Sequence, residues 1–150
     1  MFNRAFFLAA GVLLIGPDQP RYQTQDPTGL LRGARSLQCV FPSGGSEVLT
    51  DSSPRYQPAK GTDGVFDNID RTKGTARVIG TAGAGDAQVI AGPETLTFIE
   101  LSPLGYPQVT VVFARFRPRT TELLAADSRH AVVTGRVLVE QYYGSCRVLQ

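Results

Sequence analysis

From residue 37 onward the apolar positions recur with a period of two in short bursts, and each burst ends at a stretch containing Gly or Pro. Leu37, Cys39 and Phe41 alternate with Gln38 and Val40, and Pro42-Ser43-Gly44-Gly45 closes the run. Residues 47–50 read as a weak strand ahead of a polar loop at 51–64. Strands at 65–69 and 76–79 flank Asp70-Arg71-Thr72-Lys73-Gly74, which has hairpin composition. Gly80 to Asp86 reads as a small-residue turn before a strand at 88–91. Residues 95–101 and 108–117 are richest in β-branched and aromatic side chains. Between them Ser102-Pro103-Leu104-Gly105-Tyr106-Pro107 is a turn by composition. Residues 122–126 and 131–134 then flank Asp127-Ser128-Arg129-His130, read as a turn, and 136–143 forms a last long strand closed by Gly144. No segment shows a convincing helical period, although residues 121–126 could form one turn.

Strands of this length, with turn signals every 8–12 residues, predict an all-β fold: a small antiparallel β-barrel or a β-sandwich of roughly eight to ten short strands. Cys39 falls in the first strand and Cys146 just after the last. A bridge between them needs Cα atoms within about 7 Å, so a Cys39–Cys146 disulfide makes the first and last strands neighbours. That favours a meander that closes on itself.

The compartment follows from the N-terminus. Arg4 precedes an uncharged run at 5–15, too short for the roughly 20 residues of a membrane-spanning helix but matching the apolar core of a secretory signal. Gly16-Pro17 breaks any helix there. The reading is a signal sequence at 1–16, a Pro/Gly-rich lead-in at 17–31 and a single all-β domain at 32–150. It places the protein in the periplasm or outside the cell, where two cysteines pair, and leaves membrane contact only to an uncleaved N-terminal segment.

Composition changes this picture little. The formal charge of +2 and 19% charged residues favour no nucleic-acid partner. Thirteen arginines against two lysines reflect base composition as readily as phosphate recognition.

Candidate chemistry is sparse. His130 is the single histidine, so an alternative catalytic reading, a small hydrolase or lyase, rests on His130 with Ser128. No Gly-x-Ser-x-Gly elbow accompanies them. The glycine run at 80–85 lacks the lysine of a phosphate loop, because Asp86 follows it. Asp63, Asp67, Asn68 and Asp70 fail the spacing of a calcium loop, and one histidine with two distant cysteines does not make a zinc site. No metal and no cofactor is expected. Arg115, Arg117 and Arg119 share one face if their strand continues past Pro118. Tyr142 and Tyr143 point to opposite faces of the last strand, and an inward tyrosine beside an arginine is a ligand handle. The candidate ligand contacts are Arg115, Arg117 and Tyr143.

The inferred shape resembles a small calycin-type barrel, as in lipocalins and avidins. The resemblance is one of architecture: lipocalins carry a Gly-x-Trp near the first strand, and this chain has no tryptophan, so no family residue is carried over. The expected function is a non-enzymatic binding or accessory module that holds a small apolar or anionic molecule or contacts another envelope protein. The further alternative is a purely structural envelope protein.

Overall fold

The computed structural model describes residues 25–49, 55–81 and 83–149; residues 1–16, where a signal sequence is expected, and most of the 17–31 stretch lie outside them. Eight antiparallel strands follow one short helix, α1 (Pro27–Gly33). They are β1 (Leu37–Leu49), β2 (Arg55–Asp70), β3 (Thr75–Gly80), β4 (Gly83–Ala91), β5 (Thr95–Leu101), β6 (Pro107–Phe116), β7 (Leu123–Val133) and β8 (Arg136–Val148). Each strand pairs with its sequence neighbours, and β8 pairs back onto β1, which closes a single sheet into a barrel. Cys39 and Cys146 are Cα partners in that closing seam, 4.0 Å apart, and form the disulfide. Barrel and staple are thus one feature, and the bridge is consistent with an oxidising compartment.

Several strands are longer than the sequence pattern suggests. β1 does not stop at Pro42 but crosses it by a register shift between Val40 and Ser43, so the weak strand at 47–50 is the end of β1. A bulge accommodates the donor that proline lacks. The polar loop expected at 51–64 is strand from Arg55 on, because β2 pairs with β1 through Val48↔Arg55. Its hydrophilic sequence reflects exposure on both faces. The turn expected at Asp127–His130 is also an error: these residues lie inside β7, and the chain reverses at Thr134-Gly135, both at positive φ. The misleading signal was polar residues at inward positions. β1, β2, β7 and β8 extend past the other four strands, so one side of the barrel mouth is taller.

The lead-in ends in a helix that the sequence pattern did not reveal. The Asp26 carboxylate accepts hydrogen bonds from the Thr28 and Gly29 amides, both at 2.9 Å, and Pro27 occupies the first turn. Leu31 buries itself at one end of the barrel, and the Arg71 guanidinium donates to the carbonyls of Leu31 and Ala34 at the end of the helix. This end is closed.

The interior is graded in rows. Nearest α1, Leu96, Val112 and Ala125 are register partners on β5, β6 and β7, and all are buried. The next row is Phe98, Thr110, Asp127 and Tyr142, running on to β8. Phe98 stacks on Phe66 with ring centroids 4.0 Å apart. Gly44 lies opposite Tyr142, and a Cβ there would strike the tyrosine ring, so this glycine makes room for it. The third row, toward the mouth, is Glu100, Gln108, Arg129 and Glu140. Apolar packing gives way to polar groups within two steps of the pleat.

Candidate functional site

The end opposite α1 holds a cavity of about 510 Å3, lined by residues of all eight strands and open at the mouth. Phe41, Phe66 and Val78 form its floor. On the β2–β4 side the inward positions nearest the mouth are glycines: Gly64, Gly80 and Gly83 lie side by side across three strands, with Gly85 next on β4. A Cβ added at Gly80 or Gly83 meets nothing within 4 Å, and at Gly85 only the Val78 methyl at 3.9 Å. No neighbour requires Gly80 or Gly85, so their bare wall keeps the cavity open, whereas Gly83 is held at φ +119°, a backbone conformation that favours glycine. The turn expected at 80–86 is narrower: Gly80 and Gly83 are already paired, and residues 83–86 are strand.

The opposite wall carries the charge. Asp127 is 0% exposed and accepts hydrogen bonds from Thr110 Oγ1 at 2.8 Å, Gln108 Nε2 at 3.1 Å and Arg129 Nε at 2.8 Å. Buried carboxylates persist only when paired in this way. A terminal nitrogen of Arg129 donates to Thr62 Oγ1 at 3.1 Å across the mouth, and the guanidinium lies over the Tyr142 ring, 5.1 Å from its centroid. Burial, then the charge of Asp127, pushes the Glu100 carboxyl above the usual carboxylate range, with Arg129 opposing. Burial and the neighbouring Glu140 likewise raise the Tyr142 hydroxyl.

The β5–β6 connection overhangs the mouth. Ser102, Pro103 and Tyr106 line the cavity. The Tyr106 hydroxyl donates to the Val132 carbonyl at 3.2 Å, tying this loop to the taller wall.

The residues picked from sequence lie elsewhere. β6 ends at Phe116, so the arginine ladder stops: Arg115 is exposed, Arg117 pairs with Glu122 at 3.8 Å in the β6–β7 turn, and Arg119 adopts positive φ. Tyr143 is 61% exposed on the outer wall. None of Arg115, Arg117 and Tyr143 lines the cavity, and they do not meet. The tyrosine beside an arginine is Tyr142. His130 is exposed at the lip of the cavity, and among the described residues no hydrogen bond or ion pair joins it to Ser128 or to a carboxylate. Asp67 is engaged by Arg77 through two hydrogen bonds of 2.9 and 2.6 Å, while Asp70 caps the β2–β3 turn through the amides of Thr72 and Lys73. Asp127, Arg129, Glu100 and Thr110 were missed. Their sequence signal was a polar residue at every second position along segments otherwise read as apolar strands or turns.

No protein-family model matches the chain, and no curated protein or solved structure matches it.

Proposed function

We propose that this protein is an exported binding module that holds a small amphipathic molecule in the open end of its barrel. The observation that carries the reading is the glycine wall. Gly80 and Gly85 leave empty a space that ordinary strand residues would fill, and that space faces convergent polar groups. A cavity of about 510 Å3 falls within the few hundred to one thousand Å3 usual for small-molecule sites. The apolar floor suits a hydrocarbon or ring, and the third row suits a polar head.

The test is binding of the neutral fluorescent probe N-phenylnaphthylamine to the purified protein and to Gly80→Leu and Gly85→Leu variants. The added side chains have room and no positive φ to strain, so both variants should keep the wild-type circular dichroism. They should bind the probe at least about tenfold more weakly, a loss of roughly 1.4 kcal/mol. Undiminished binding in both folded variants places the ligand elsewhere. Native mass spectrometry of protein taken from its envelope fraction then identifies what the cup retains.

A second reading, contact with another envelope protein, draws on the outer wall. There the exposed Tyr56 and Tyr143 flank a groove over Gly44 and Gly45.

A further inference from the structure

The expectation of an anionic ligand rested on Arg115 and Arg117, which lie outside the cavity. The charges that do face the interior have the opposite balance. Within the second and third rows of β5–β8 stand three carboxylates, Glu100, Asp127 and Glu140, and one guanidinium, Arg129. Arg129 is already committed: its Nε to Asp127, a terminal nitrogen to Thr62 and its face to Tyr142. Asp127 is fully buried beneath it with three donors, so the Asp127–Arg129 pair presents little net charge to the cavity. Glu140 is the register partner of Arg129, the one guanidinium of these rows. Glu100 stands two strands away from that charge. It is half-buried, it lines the cavity, and among the described residues no donor reaches its carboxylate.

A half-buried carboxylate without a donor, facing an open cavity, is a site for the charge it lacks. An incoming anion would meet Glu100 and Glu140 at the same level as the already committed Arg129, and the repulsion would weaken with salt only where the groups are exposed. A protonated amine supplies three donors and a positive charge together. We propose that the cup selects a small amphiphile headed by a protonated amine, which pairs with Glu100 while its apolar body lies on Phe41, Phe66 and Val78. This rests on the cup reading above. It goes further by naming the head group and the residue that recognises it.

The experiment uses three amphiphiles of equal chain length, octylamine, octanol and octanoate, displacing N-phenylnaphthylamine from the folded protein at neutral pH. Octylamine should compete about tenfold or more tightly than octanol, and octanoate more weakly than both. In Glu100→Gln, octylamine should fall to the level of octanol while octanol itself is unchanged. That separates recognition of charge from damage to the cup. Octanoate binding as tightly as octylamine, or octylamine indifferent to Glu100→Gln, overturns the amine assignment and leaves the cup standing. Failure of all three, octanol included, to displace the probe overturns both.

Discussion

The barrel seam offers the sharpest quantitative test of this fold, through replacement of both bridged cysteines by alanine. The Cys39–Cys146 bridge spans 107 residues. In the chain-entropy description a loop of that length costs the unfolded chain about 16 cal/mol/K, so losing the bridge should destabilise the protein by about 4.8 kcal/mol at 25 °C. Native disulfides of small exported domains give about 2–5 kcal/mol in practice, which brackets the same value. Alanine is preferred to serine because both positions are fully buried, where an unpaired hydroxyl adds its own cost. The bridge is not the only tie. β1 and β8 stay paired from Leu37↔Val148 to Leu49↔Val137, so the double variant should still fold and keep its β-sheet circular dichroism. With a urea m-value of about 2 kcal/mol/M the unfolding midpoint should fall by about 2 M at constant m. Reduced wild type should behave like the double variant, and amide exchange should quicken first along the β1–β8 ladder. A midpoint shift below about 0.5 M would refute the reasoning, since the seam would then hold the ends of the chain together without the covalent tie.

Two further outcomes follow from the cavity wall. Asp127→Ala should cost about 2–3 kcal/mol by urea unfolding, less than the loss of a partner in a fully buried ion pair because the Arg129 side chain is 32% exposed. Adding Arg129→Ala should recover part of that loss, and strict additivity of the two would show that the pair is not coupled. Glu100→Gln should stabilise the free protein at neutral pH. The folded protein holds the Glu100 proton more tightly than the unfolded chain does, so stability declines as pH rises from the ordinary carboxylate range through the raised value. The variant's advantage should therefore vanish at acid pH, and thermal melts across pH 3–7 that run parallel for the two proteins would contradict it.

Much of the architecture was legible from residue spacing, and the reason is physical. A cysteine in the first strand and one after the last can bridge only if those strands meet, so a single pairing implied closure of the sheet. Strand ends were not legible, because Gly and Pro have more than one use in a sheet. Pro42 is absorbed by a bulge in β1, and Gly85 sits within β4, where it marks the space beside it rather than a reversal of the chain. Asp127-Ser128-Arg129-His130 looked like a turn because polar clusters usually lie at the surface, yet Asp127 and Arg129 point into the barrel.

The same cause hid the site and now defines it. Period-two patterning identifies a strand by an apolar inner face, so a strand whose inner face turns polar loses its signature at the point where it could touch a ligand. Along β7 the inward residues run Leu123, Ala125, Asp127, Arg129, and along β5 Leu96, Phe98, Glu100: each passes from apolar to charged in two-residue steps toward the same end of the barrel. β3 and β4 pass instead from Val78 to Gly80 and from Ala87 to Gly85, losing the side chain over the same height. A barrel built only for stability would continue Leu, Val and Phe to the mouth, because each fully buried apolar side chain contributes about 1.5–3 kcal/mol. Charge on one wall and absence of side chains on the other forgo that stabilisation at one level, and this shared loss is what the proposed occupant of the cavity would account for.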